Sequence, residues 1–190
     1  MITAVLCGGS GSRLLGNNED TKQKCCVEVA GKPFLQWRIE QLNACGYDDL
    51  HFITKGRYAA EVKMVVGDYP VHIEDISGDK FQAVAYAAEL GKGKTVCIVN
   101  GDTWINLPPW YELLGTPTMV VCPPGKQKAN ISLPGSGPIP KYLDAGIYYI
   151  KNDWPQLWQH MFINDTPYHL NTPEDKDELD AVLRRHGESE

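Results

Sequence analysis

Ala4-Val5-Leu6-Cys7-Gly8-Gly9-Ser10-Gly11-Ser12-Arg13-Leu14 is the stretch on which the fold of this chain turns. A short apolar run feeds directly into three glycines, two serines and an arginine, and reads as a buried strand ending in a loop of bare backbone. Glycine lets main-chain N–H groups approach a ligand closely and take positive φ without a steric clash. Successive N–H groups of this kind make an anion-binding nest, and Arg13 adds a planar, permanently charged fork suited to phosphate. On the loop alone, a glycine-rich strand turn with one surface arginine is the competing reading.

Spacing excludes two phosphate loops. No Lys-Ser or Lys-Thr follows the glycines, as a P-loop requires. A dinucleotide fingerprint needs a helix opening at the glycines, whereas polar Gly16-Asn17-Asn18-Glu19-Asp20-Thr21 follows here and no helical pattern is expected before Pro33. A mobile loop carrying Lys22 and Lys24 is therefore expected between the nest and the first helix.

Working outward, strand-like runs fall at Ile2–Leu6, Leu50–Thr54, Val71–Glu74, Thr95–Asn100, Met119–Cys122 and Ala145–Ile150. Leu35, Ile39, Leu42 and Cys45 form a helical stripe between Pro33 and Gly46, and Phe81, Val84, Ala85 and Ala88 a second one closed by Gly91. Continuous apolar strands alternating with helices predict a mostly parallel sheet covered on both faces. The expected fold is a Rossmann-like three-layer α/β/α sandwich forming one domain over residues 1–190. Trp154–Met161 reads as a short helix and Pro123–Lys141 as a hairpin or flap. Thr172-Pro173-Glu174-Asp175 reads as a capping box opening a last helix packed through Leu179, Val182 and Leu183. Gly187–Glu190 is expected to fray.

Composition narrows the function. Net charge is −6, which argues against a nucleic-acid surface. Residues 1–35 hold four cations against three carboxylates, +1, so the remainder carries −7. An acidic protein that keeps cations around one loop suits a small polyanion such as a nucleoside triphosphate. No apolar run approaches the ~20 residues of a membrane helix, and Met1 enters a strand without a basic leader, so neither membrane nor signal peptide is expected. The six cysteines lack paired C-x-x-C spacing, which fits a reduced cytoplasmic setting without zinc. Adjacent Cys25 and Cys26 read as packing residues, with redox sensitivity as the other option.

Gly-Gly-x-Gly-x-Arg-Leu, a loop lysine and Val27-x-Val29-x-Gly31-Lys32-Pro33-x-Leu35 together resemble the sugar-1-phosphate nucleotidyltransferases, above all short members such as the mannoheptose-1-phosphate guanylyltransferases. Val99-Asn100-Gly101-Asp102, Asp144-Ala145-Gly146-Ile147-Tyr148 and Thr172-Pro173-Glu174-Asp175 follow in the same order. The resemblance implies a GT-A-like fold and attack of a sugar phosphate on the α-phosphorus of a nucleoside triphosphate, GTP by the nearest-looking relatives. It assigns nucleotide binding to Leu6, Cys7, Gly8, Gly9, Ser10, Gly11, Ser12 and Arg13, with Asn100 and Gly101 beside them and Gly78 or Gln82 reading the base. Arg13, Lys24 and Asp102 would be catalytic. Lys24, Lys141, Asp144, Ala145 and Gly146 would meet the sugar phosphate, and Lys22 and Lys32 are either contacts or solvated charges. Asp102, at the carboxyl end of a parallel strand, would hold Mg²⁺.

Two positions depart from the family pattern. Gln23 stands where a proline precedes the loop lysine, a change expected to loosen the loop. His169 stands where a second metal-binding Asp is expected, and imidazole suits softer metals. Three readings are open: His169 replaces that Asp with Mn²⁺ preferred, Asp165 substitutes, or Asp102, phosphates and water suffice. A chain that binds the nucleotide without turning it over is the remaining alternative, beside transfer to phosphocholine or molybdopterin. A monomer or homodimer is expected.

Overall fold

The computed structural model describes residues 1–16, 22–75, 80–107, 117–122, 143–151 and 159–188. Strand β1 (Ile2–Cys7) leads into a one-turn helix α1 (Ser12–Leu15), and a small hairpin of β2 (Glu28–Val29) and β3 (Lys32–Pro33) precedes α2 (Phe34–Ala44). The chain continues through β4 (Leu50–Thr54), α3 (Ala59–Val66), β5 (Val71–Ile73), α4 (Lys80–Leu90) and β6 (Thr95–Asn100). Then come β7 (Thr103–Trp104), β8 (Thr118–Cys122), β9 (Leu143–Lys151), β10 (Gln159–Phe162), β11 (Tyr168–His169) and α5 (Pro173–Gly187).

Seven strands form the main sheet in the order β10-β8-β9-β6-β1-β4-β5. Pairing is parallel from β6 through β1 and β4 to β5, and again between β8 and β10. Strand β9 alone runs antiparallel, between β6 and β8. The expected mostly parallel α/β/α sandwich is therefore what the chain forms.

Alternation explains why the strands read as unbroken apolar runs. Val5 and Cys7 face one core, with Phe52, Cys97 and Val99, under Leu35 and Leu42 of α2, Val62 of α3 and Leu179 and Leu183 of α5. Ile2 and Ala4 face the other core, with Ile53, Val96 and Ile98, under Val84, Ala87 and Ala88 of α4. Both pleat faces are dry, so a polar residue inside these strands needs a partner, as Thr3 finds in the Asp48 carbonyl at 3.0 Å.

Three expectations need correction. A helix does open beside the glycines, but α1 lasts one turn and stops at Gly16, whose φ is +79°. Helix α3 was not expected. It spans only 8 residues, begins without a side-chain cap and is rich in β-branched valine, so its pattern is weak. Residues 159–161, the end of the helix expected at Trp154–Met161, instead lie in β10, because pairing with Thr118–Val121 of β8 satisfies the backbone there. The rest of that stretch and the flap expected at 123–141 lie outside the described residues.

The last helix begins as its sequence predicts. Thr172 accepts from the Asp175 backbone N–H, and Asp175 accepts in return from the Thr172 N–H at 3.0 Å. Leu179 and Leu183 are fully buried.

Candidate active site

The register of β1 against β6 brings the site together. Leu6 pairs with Asn100, so the glycine loop after Cys7 and Asp102 leave the same edge of the sheet. The Gly101 N–H donates to the Leu6 carbonyl at 2.9 Å. A Cβ at Gly101 would lie 3.0 Å from both Leu6 O and Cys7 Sγ, a tight fit that a side chain would have to open by a few tenths of an ångström. At Gly9 a Cβ would lie 3.8 Å from Asp102 Oδ2 and 3.7 Å from the Lys24 side chain. The glycine loop, the loop lysine and the strand-end carboxylate therefore meet.

Lys24 is delivered by a short 3-10 turn, Lys24–Cys26, which Gln23 ties in place. The Gln23 carboxamide accepts from Cys25 N–H at 2.6 Å and donates to the Cys7 carbonyl, while its own N–H donates to Glu61 Oε2 at 2.6 Å. Gln23 is 1% exposed. Far from loosening the loop, it clamps the lysine segment to the end of β1. The Lys24 ammonium then donates to Asp102 Oδ2 at 2.6 Å and to Asn171 Oδ1 at 2.5 Å. Arg13 Nη2 reaches the same Asn171 oxygen at 3.3 Å. Asn171 is a residue that sequence reasoning missed. Its only signal was its place just before the capping box, whose Asp175 also accepts from the Asn171 N–H.

His169 lies beside this cluster. Strands β7 and β11 pair antiparallel, and the Leu170 N–H donates to the Asp102 carbonyl at 3.0 Å. The Thr103 hydroxyl is 3.2 Å from Asp102 Oδ1 and 3.1 Å from His169 Nδ1, so it links the imidazole to the carboxylate. His169 Nε2 is shielded from solvent. Asp165, the alternative acidic ligand, instead accepts from the N–H groups of Asn106 and Thr166, both at 2.9 Å. Among the described residues no group of three His, Cys, Asp or Glu side chains could hold a metal ion by itself. The donor chemistry fits Mg²⁺ or Mn²⁺ through oxygens: the Asp102 carboxylate, with a neighbouring amide oxygen, together with oxygens brought by phosphates.

A cavity of about 650 Å³ opens at this edge, with Gly8, Gly9 and Asp102 at one end and Lys55, Arg57 and Glu74 at the other. Glu74 is 5% exposed and pairs with Lys55 at 3.2 Å. These three residues carried no motif and were not anticipated. Ala83 of α4 also lines the cavity, while Gln82 beside it is exposed. Gly78 and Lys141 lie outside the described residues.

Asp144 is turned inward. It is 7% exposed, and its carboxylate accepts from the Gly146 N–H at 2.7 Å and from the Tyr148 hydroxyl. Burial, followed by the Asp144 charge, pushes the Tyr148 phenol far above its ordinary value, so it stays a donor. Ala145 is likewise buried, and Gly146 holds φ +70° against the Asn100 side chain. Lys32 is taken up by Glu40 and the Trp37 ring, and Lys22 lines a separate groove with Lys176 and Arg184. Cys25 is buried, and burial pushes its thiol up, the setting of a packing residue. No helix among the described residues is long and apolar enough to cross a membrane.

No family model and no curated protein matches the sequence. Solved structures do match. One is a Bacillus anthracis protein crystallised with sucrose and assigned as a glucose-1-phosphate thymidylyltransferase, 15% identical, with a TM-score of 0.74 over 97% of this chain and 95% of that one. HddC from Yersinia pseudotuberculosis in complex with GMP-PN is 17% identical, TM-score 0.73, over 95% and 98%. The inositol-1-phosphate CTP transferase from T. maritima is 11% identical, TM-score 0.71, over 96% and 94%. Over nearly its full length, this chain has the fold of these nucleotidyltransferases.

Proposed function

We propose that this protein transfers a nucleotidyl group from a nucleoside triphosphate to a sugar 1-phosphate, forming an NDP-sugar and pyrophosphate. The observation that carries the reading is the meeting of Lys24 and Asp102 at the glycine loop, with Arg13 joined to Lys24 through Asn171, beside a cavity of nucleotide size lined by Gly8, Gly9 and Asp102. In this reaction a phosphate oxygen of the sugar forms a bond to the α-phosphorus as the bond to the β-phosphate bridge breaks. No covalent enzyme intermediate is required, so the protein's task is alignment and charge neutralisation.

Each residue has a part in that task. The backbone N–H groups from Gly8 to Ser12 receive the triphosphate, and Arg13 holds the departing β- and γ-phosphates. Lys24 moves from Asp102 to the α-phosphate and the incoming sugar phosphate. Asp102 would hold a Mg²⁺ or Mn²⁺ ion brought by the triphosphate. Such an ion, when bound, neutralises charge developing on the phosphate oxygens. Lys55 and Glu74 offer a donor beside an acceptor at the far end of the cavity, which suits the adjacent carbonyl and N–H of a guanine edge. Uracil and thymine present the same adjacent pair, and GTP, which the resemblance implies, is the proposed nucleotide.

The test is pyrophosphate release from each of the common triphosphates, with Mg²⁺ or Mn²⁺ and a panel of sugar 1-phosphates. Release that depends on the sugar phosphate supports the reading. Release only with phosphocholine or a pterin acceptor would redirect it, and tight triphosphate binding without release under any condition would replace it with a binding role.

A further inference from the structure

We propose that Asn171, through its amide oxygen, rather than His169, through a ring nitrogen, is the second protein ligand of the divalent cation at Asp102. The inference rests on the nucleotidyl-transfer reading for the presence of that cation, and on this chain's own geometry for the ligand.

A single ammonium group, that of Lys24, sits between Asp102 Oδ2 at 2.6 Å and Asn171 Oδ1 at 2.5 Å. A second cation, the Arg13 guanidinium, donates to the same carboxamide oxygen at 3.3 Å. One neutral oxygen accepting from two cations, beside a carboxylate, marks a place where positive charge is stabilised. Lys24 thus stands where a metal ion with hard oxygen ligands would be held. Both side chains offer oxygen, the donor that Mg²⁺ and Mn²⁺ take, and amide oxygens are ordinary ligands of hard cations.

His169 has a different engagement. Its Nδ1 is 3.1 Å from the Thr103 hydroxyl, which also touches Asp102 Oδ1, and its Nε2 is closed from solvent. The imidazole therefore orients the carboxylate through a hydroxyl, the position of a supporting residue. Asn171 can afford to present its oxygen steadily because its backbone is pinned: its N–H donates to Asp175 at 3.3 Å, within the capping box of α5.

The inference also assigns a sequence to the charges. With no triphosphate, Lys24 and Arg13 occupy the Asp102–Asn171 oxygens. A metal triphosphate brings a cation for those oxygens and phosphates for the two side chains, so Lys24 exchanges the Asp102 carboxylate for a phosphate and Asp102 exchanges the ammonium for the metal, leaving no buried charge unmatched.

The test is Mn²⁺ binding followed by electron paramagnetic resonance, with saturating non-hydrolysable triphosphate, in the wild type and in Asn171→Ala, Asn171→Asp and His169→Ala. Asn171→Ala is expected to weaken Mn²⁺ by about tenfold or more, Asn171→Asp to bind at least as tightly as wild type, and His169→Ala to stay within a few-fold of it. Thermal melting of each variant separates lost ligation from lost folding, and Asn171→Asp provides the isosteric control. Unchanged Mn²⁺ affinity in Asn171→Ala, or loss confined to His169→Ala, overturns the proposal. So does a wild type that takes up no Mn²⁺, an outcome distinct from failure of nucleotidyl transfer, which pyrophosphate release judges separately.

Discussion

Lys24 and Asp102, 78 residues apart in sequence, place Nζ and Oδ2 2.6 Å from each other at the meeting point of the glycine loop and β6. The lysine side chain is 8% exposed and the carboxylate 28%, so the pair is shielded more on its cationic side. Two charges held this closely act as a unit. Each of Lys24→Met, Asp102→Asn and Arg13→Ala is expected to lower kcat/KM by ~10²–10³. The Lys24→Met, Asp102→Asn double variant should lose much less than the product of the singles. A steady-state double-mutant cycle checks this, and strict additivity would mean that the pair does not cooperate.

Gln23 joins the lysine turn to β1 through two buried side-chain bonds. Gln23→Ala strands the Cys25 N–H in a buried setting and should destabilise the protein by about 1–3 kcal/mol. Because Lys24 follows directly, the rate should fall as well. Chemical denaturation and kinetics on one preparation test both effects, and a rate loss without a stability loss would contradict the clamp.

Gly146 adopts φ +70°, and a Cβ there would come within 2.2 Å of Asn100 Nδ2. Asn100 lines the cavity. Gly146→Ala therefore combines backbone strain with a clash, and about 1–3 kcal/mol of stability should be lost. Triphosphate binding should weaken too, as Asn100 is pushed aside; calorimetric titration reads this directly.

Thr172→Ala removes the acceptor for Asp175 N–H and should cost about 1 kcal/mol of stability. The neighbouring Asn171 would be held less firmly, so activity should drop further than the stability change explains. Thr172→Ser, which keeps the hydroxyl, should restore both.

His51 and His72 stack across β4 and β5 with Nδ1 and Nε2 2.8 Å apart, and Asp49 meets the outer nitrogen of His51 at 3.2 Å. Burial first, and the His51 charge second, lower the His72 pKa below 6.5. The unfolded chain therefore binds this proton more readily than the native one. The stabilising difference is complete above pH 6.5 and shrinks as pH falls through the native value. Melting temperature should decline on acidification through this range, and His72→Asn should flatten that decline.

Much of the fold was legible because its signals are local. Leu50–Thr54 and Thr95–Asn100 are strands with the expected bounds, since a run of apolar residues buried on both faces needs no partner to be recognised. The capping box of α5 is likewise written in four consecutive residues. Elements defined by pairing were hidden. Nothing in Gln159–Phe162 declares a strand until β8 is there to take its hydrogen bonds, and α3 was too short to announce itself.

The site divides along the same line. The glycine loop and Arg13 were singled out by residue type, and Lys24 and Asp102 by their order in the motifs of the resemblance; phosphate chemistry calls for bare N–H groups, cations and a carboxylate. Which groups touch was decided by the tertiary structure. It joined Asn171 to Arg13 and Lys24, turned Asp144 toward Tyr148 and made Gln23 a clamp. A linear sequence can specify a side chain's chemistry, but its partner is chosen by strand register and by burial, which penalises any polar group left unmatched.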